Sequence, residues 1–291
     1  MVMLRFNKER KQWDIIPAKE KQKGDFYLDG KEKKCLDHFK KQQQNNNDTL
    51  IPIVGPEGSG KGAKMGHILR YISDDKFDPK KDLIGADYVD GLTKIKNVKK
   101  MGWLGFDEFV SFGLGSETMK KEARDLHKIF SIFRQKNLFV VICLPSFFRL
   151  QSYYALDRSD ALFSTYIKNG KRGFFSFYGK KTKDKLYRFG KKTHNMEAVK
   201  PTFRGRFTKC DLMETEDYFS FKESTLDLEI DKAMNNNKKP KTEWEIKKQM
   251  ELDMVGKNMK TPAIELSKLF GMTERRIYQL KKQIREEISL K

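Results

Sequence analysis

Seven residues with three glycines and a lysine, Gly55-Pro56-Glu57-Gly58-Ser59-Gly60-Lys61, form the part of this chain best suited to chemistry. Glycines let successive backbone N–H groups converge on one point, and the lysine adds a cation on a long stem. That combination cradles phosphate, with Lys61 reaching the β- and γ-phosphates of a nucleotide. Gly55, Gly58, Ser59, Gly60, Lys61, Gly62 and Ala63 are therefore the expected nucleotide-binding residues. Such loops place Ser or Thr after the lysine, where the hydroxyl meets magnesium. Here Gly62 and Ala63 follow, so a metal would depend on water and on carboxylates elsewhere. Asp107 and Glu108 in "WLGFDEF" supply them, Asp107 to hold Mg²⁺ and Glu108 to polarise an attacking water.

Positioning these groups requires a strand before the loop and a helix after it. "LIPIV" (50–54) is an apolar run suited to a buried strand, and Met65, Ile68, Leu69 and Ile72 follow at helical spacing. Segments 81–86, 101–109 and 137–145 read as further strands, with an amphipathic helix over 116–136. The alternation predicts an α/β fold whose mainly parallel sheet is covered by helices. Asp107 and Glu108 would then emerge at the C-terminal edge of a strand, where open α/β sheets bind ligands. From 161 to 189 apolar and polar residues alternate across turn signals at Asn169-Gly170 and Gly179, which predicts an antiparallel hairpin extension. The expected organisation is a basic N-terminal segment (1–49), a core with the hairpin (50–230), a linker (231–242) and a small all-α domain (243–291). Within 1–49 one helix is expected at about 31–43, the remainder being surface chain.

The chain carries 60 Lys or Arg against 40 Asp or Glu, a formal charge of +20, which calls for a polyanionic partner. The excess is concentrated in 168–209, with fourteen Lys or Arg against one Asp and one Glu. Lys180, Lys181, Lys191 and Lys192 are the expected phosphate contacts there, while one set of the interleaved rings should face the core. Cys35, Cys143 and Cys210 are widely spaced and suggest neither a zinc site nor a disulfide framework, in keeping with a reducing cytoplasm. No apolar run reaches the roughly 18 residues that mark a membrane span, so no membrane partner is expected.

In "TPAIELSKLFGMTERRIYQLKKQI" (261–284), Leu266, Phe270, Met272, Ile277 and Leu280 fall at the core positions of a helix-turn-helix, with Gly271 in the turn. Pro262 would start the first helix and Thr273 cap the second. Thr273, Glu274, Arg275, Arg276, Tyr278 and Gln279 would face a DNA groove. A helical hairpin used for subunit contact is the alternative.

The residues "GPEGSGKG" (55–62), "GWLGFDEF" (102–109) and the block 133–166 together resemble the additional-strand P-loop ATPases. Among these the chain is similar to FtsK/HerA-like motors of plasmids and viruses, including zonular occludens toxin-like proteins, over about residues 50–210. The resemblance implies a P-loop NTPase fold, ATP and Mg²⁺ as cofactors, and DNA translocation or packaging by a ring of subunits, with viral or mobile-element partner proteins. It also implies an arginine acting across a subunit boundary, for which Arg134, Arg149 and Arg158 are candidates by location, Arg158 foremost, although a surface or salt-bridged arginine is the plainer reading of each. Ser146 could contact the γ-phosphate or the attacking water, with a turn-forming serine after Pro145 as the plainer reading. Three alternatives stay open. One is a replication protein or helicase loader, and another is a DNA-binding regulator that binds ATP without hydrolysing it. The third is a nucleotide kinase, since "GSGKG" also resembles the adenylate-kinase loop, although that loop has Thr where Ala63 stands.

Overall fold

The computed structural model describes residues 2–22, 24–85, 88–107, 129–236, 251–252, 255, 258–259 and 261–289. The chain divides into two compact units, 1–229 and 230–291.

The first unit is built on a seven-stranded sheet. In chain order its strands are β4 (Thr49–Val54), β5 (Leu83–Ile84), β6 (Trp103–Phe106), β7 (Phe139–Leu144), β8 (Ala161–Lys168), β9 (Lys171–Gly179) and β10 (Phe203–Arg206). Their spatial order is β10-β9-β8-β4-β7-β6-β5. The pairs β5–β6, β6–β7, β7–β4 and β4–β8 are parallel, and β8–β9 and β9–β10 are antiparallel. The expected mixed α/β architecture with a mainly parallel sheet is therefore present. Every residue of β4 and β7 is buried, as continuous apolar strands must be when both faces of a sheet are covered. The turn between β8 and β9 is Asn169-Gly170, with φ of 50° and 70°, the two positive angles of a tight hairpin turn.

Two expectations differ from the structure. Residues 1–49 are more than surface chain around one helix. β1 (Val2–Asn7), β2 (Gln12–Ile16) and β3 (Phe26–Leu28) form an antiparallel sheet of order β2-β1-β3, and α1 (Gly30–Gln44) follows. Leu4, Phe26, Leu28, Leu36 and Phe39 join the same buried cluster as β4 and α2 (Lys61–Ile72), so few apolar residues suffice to anchor a polar segment. The second difference lies beyond Gly179, where the expected strand alternation gives way to a helix, α4 (Lys180–Gly190). Its buried residues Lys183, Leu186, Tyr187 and Gly190 repeat at intervals of three and four, a helical stripe.

Before it in the chain lie α3 (Tyr88–Asn97) and a helical stretch at 129–135, the end of the expected 116–136 helix; 116–128 fall outside the described residues. After β10, a strap leads into α5 (Glu216–Asn236), which runs into the expected linker; 237–242 lie outside the described residues.

In the second unit, α6 (Ala263–Phe270) and α7 (Glu274–Ser289) are joined through Gly271 at φ 64°. Leu266, Ile277 and Leu280 are buried between them, with Phe270 and Met272 packed alongside, at the positions read from the sequence. No helix among the described residues is long and apolar enough to cross a membrane.

Candidate nucleotide site

The glycine loop connects the C-terminal end of β4 to the N-terminal end of α2. Gly55, Gly58 and Gly60 have φ of 151°, 69° and 95°. At Gly55 no other residue fits: a Cβ there would lie 2.3 Å from the Thr165 backbone oxygen and 2.5 Å from its Oγ1. Thr165 is held in turn. Its Oγ1 lies 3.2 Å from Val54 O and 2.8 Å from Ser59 Oγ, which lies 2.7 Å from Pro56 O, so the two hydroxyl protons are shared among three contacts. Ser59 is thereby fixed inside the loop, and β8 serves as its anvil. Gly55→Ala is expected to cost about 2–3 kcal/mol, through the strained φ and the backbone collision together. A denaturant titration would check it; a midpoint matching wild type would show that the loop can relax.

Lys61 directs its ammonium over the loop, donating to Gly55 O (2.9 Å) and Pro56 O (3.0 Å). The free N–H groups of the first turn of α2 and the positive end of the helix face the same space, an arrangement that attracts phosphate.

Asp107 follows β6 directly. Between β4 and β6 lies one strand, β7, parallel to both, with Val54 opposite Leu144 and Phe106 opposite Ile142. The glycine loop and Asp107 therefore emerge from the same C-terminal edge of one sheet. Asp107 is buried, and its Oδ2 accepts from Tyr218 Oη at 2.8 Å and lies 3.4 Å from Lys222 Nζ. Both partners come from α5. Glu108, the expected water-polarising residue, lies outside the described residues.

The glycine in place of Ser or Thr after Lys61 has a steric reason. A Cβ on Gly62 would lie 2.6 Å from Tyr218 Oη, and one on Gly66 2.6 Å from Met213 Cγ and 2.9 Å from Cys210 Sγ. Gly62 and Gly66, one helical turn apart, form the face of α2 on which the strap after β10 lies. The spacing of the two glycines was the only local sign of that contact. Tyr218 and Lys222 had no sign of their own, being 111 and 115 positions from Asp107 in the sequence. Arg172 of β9 was also missed. Its Nη2 lies 3.5 Å from where a Cβ on Gly58 would stand, which brings a guanidinium to the loop's rim.

The other expected residues are spread more widely. Arg158 donates to Asp48 Oδ2 (2.5 Å) and Phe130 O (3.2 Å), with 14% of its side chain exposed. Asp48 precedes β4, so Arg158 is engaged within its own chain at the opposite edge of the sheet. It is salt-bridged, the plainer of its two expected readings. Arg134 and Arg149 are exposed, while Ser146, two residues past the end of β7, stands at the same sheet edge as the glycine loop and Asp107. Lys180, Lys181, Lys191 and Lys192 are exposed on and just beyond α4, not on a hairpin. Lys183 between them is buried, its ammonium donating to Ala155 O, Leu156 O and Ser159 O. The rings Phe175, Phe177, Phe203 and Phe207 face the core as expected. In the second unit Thr273, Arg275, Tyr278 and Gln279 are exposed, and the partly exposed Arg276 pairs with Glu251 Oε2 (2.8 and 3.1 Å).

No family model matches this chain, and no curated protein matches it. Among solved structures it is similar to the replication initiator DnaA bound to AMPPCP and single-stranded DNA, at 15% identity over 90% of each chain, with a TM-score of 0.28. AMPPCP-bound DnaA from Aquifex aeolicus gives 15% identity over 91% of this chain and 90% of that one, with a TM-score of 0.29. Scores this low carry no argument about fold or function.

Proposed function

We propose that the chain is an ATP-binding, DNA-associated P-loop ATPase that translocates or packages DNA for a virus or mobile element. The observation that carries the nucleotide reading is the shared sheet edge. There the glycine loop with Lys61 and the carboxylate of Asp107 follow strands separated by one parallel strand, β7. Lys61, the N-terminus of α2 and Arg172 would bind the triphosphate. Asp107 would hold Mg²⁺, which takes one or two carboxylates beside substrate phosphates and retains several waters. A single carboxylate flanked by a hydroxyl fits that habit. The ion, when bound, supplies neutralisation of charge on the phosphates. Lys222, 48% exposed, can leave Asp107 for solvent. Glu108 is proposed to polarise the attacking water.

The DNA reading rests on charge. The exposed lysines around α4 would follow a phosphate backbone, and Thr273, Arg275, Tyr278 and Gln279 of the second unit would read a groove. Assembly into a ring belongs to the same proposal.

The test is ATP binding and hydrolysis by the full chain, with and without double-stranded DNA, beside Lys61→Ala. The variant should bind ATP at least about 100-fold more weakly, about 2.7 kcal/mol, and lose turnover. DNA-stimulated hydrolysis would support the motor. ATP bound but never hydrolysed would favour the non-hydrolysing regulator. Wild-type protein that binds no nucleotide would sink the proposal.

A further inference from the structure

The loop lacks the hydroxyl that such loops carry after their lysine, yet a hydroxyl stands beside that position. Tyr218 Oη is 2.6 Å from where a Cβ on Gly62 would be, within the shell that a serine side chain would fill, and 2.8 Å from Asp107 Oδ2. The next tyrosine atom, Cζ, is 3.7 Å from that Cβ position, an ordinary contact. Only the hydroxyl intrudes. The tyrosine is buried and firmly seated. Its ring stacks on Phe221 at 6.4 Å and 23°, and its N–H is hydrogen-bonded to Thr215 O (3.0 Å) and Oγ1 (3.3 Å) in the first turn of α5.

We propose that Tyr218 of α5 supplies the metal-side hydroxyl of the nucleotide site, in place of the Ser or Thr that Gly62 replaces. The inference rests on the reading of the loop as a nucleotide site and deepens it. Three groups from three distant parts of the chain converge: a position with no side chain, a strand-end carboxylate, and a phenol between them. A phenol and an aliphatic hydroxyl offer the same one donor and the same acceptor lone pairs, so the exchange preserves the chemistry. It also makes the site depend on α5, since Asp107 takes both Tyr218 and Lys222 from that helix.

The experiment measures affinity for a fluorescent ATP analogue, once with excess Mg²⁺ and once with EDTA, in four proteins: wild type, Tyr218→Phe, Gly62→Ser and Gly62→Ser/Tyr218→Phe. Wild type should bind more tightly with Mg²⁺. Tyr218→Phe keeps the ring and its stacking, and should lose about tenfold of the Mg²⁺-dependent gain while leaving the EDTA value unchanged. The double variant removes the obstructing oxygen and returns a hydroxyl on residue 62, and should restore the gain. Gly62→Ser alone crowds the tyrosine and should not exceed wild type. Thermal melting of each variant verifies that it is folded. Equal loss in Mg²⁺ and EDTA, an unchanged Mg²⁺ gain in Tyr218→Phe, or no restoration in the double variant would each overturn the inference. Wild-type protein that binds no nucleotide in either buffer would overturn the nucleotide reading first and the inference with it.

Discussion

Lys64→Met should destabilise the first unit by about 3–5 kcal/mol, while Lys64→Met combined with Glu32→Leu should fall near wild type or above it. Lys64 lies on α2, four positions past the loop, with its side chain fully buried. Its ammonium meets Glu32 Oε1 of α1 at 2.5 Å and sits over the face of Phe175, 3.8 Å from the ring centroid, with Phe163 at 5.0 Å and Phe207 at 5.4 Å. Burial pushes the Lys64 pKa down and the Glu32 pKa up, and the mutual attraction opposes both shifts. Removing the lysine leaves a carboxylate in an apolar cluster, with its Oε2 already lacking a partner. Removing both replaces an ion pair by hydrocarbon of similar volume, which buried sites tolerate. Denaturant midpoints of the four proteins give the coupling energy. If the two single losses simply add in the double variant, the pair is not the unit described.

One turn further along α2, His67 should make the fold acid-sensitive well above the range where carboxylates titrate. Burial first, and then the charge of Lys64, push its pKa down to about 3, against the 6.5 of a free imidazole. In the folded protein the ring is neutral, close to Lys209 O through Nε2 (3.2 Å) and stacked on Phe26 at 5.1 Å. The unfolded chain therefore binds the extra proton between the two values. The associated stability is fully present above pH 6.5 and is lost as pH falls toward 3. The whole interval is worth on the order of 4 kcal/mol, of which about 2 kcal/mol is lost between pH 6.5 and 5. His67→Gln should flatten that limb even if it lowers stability throughout. Lys64→Met should shallow it by removing a repulsive charge. A variant lacking His67 but keeping the wild-type slope would assign the proton elsewhere.

Much of the site was readable from local pattern. A strand, three glycines, a lysine and a helix are contiguous, and the carboxylate follows an apolar run, so neighbours in sequence declare them. The Asn169-Gly170 turn is equally local. What closes the site over is not. Tyr218 and Lys222 reach Asp107 from α5, Thr165 braces Gly55 from β8, and Arg172 reaches the rim from β9, all through tertiary packing that leaves no periodicity. The helix α4 was masked for a different reason. Its polar face is so rich in lysine that four buried positions gave no clear period to mark the end of the strand alternation before Gly179. The N-terminal sheet was hidden because its buried residues are few and set among charges. Lys64 and Lys183 show the same limit from the other side, since lysine in a sequence reads as surface and only the fold discloses a partner in the interior.

The seating of α2 between two remote parts of the chain has a kinetic consequence. Its inner side is fixed by Glu32, and its glycine face is covered by Cys210, Met213 and Tyr218. Contacts such as Tyr218 to Asp107 span more than a hundred positions and must await closure of a long loop. During synthesis the phosphate loop leaves the ribosome first, and the phenol that abuts it emerges some 150 residues later. The sheet can form first, and the finished site is among the last products of folding, so that a nascent or truncated chain carries the loop without its cover.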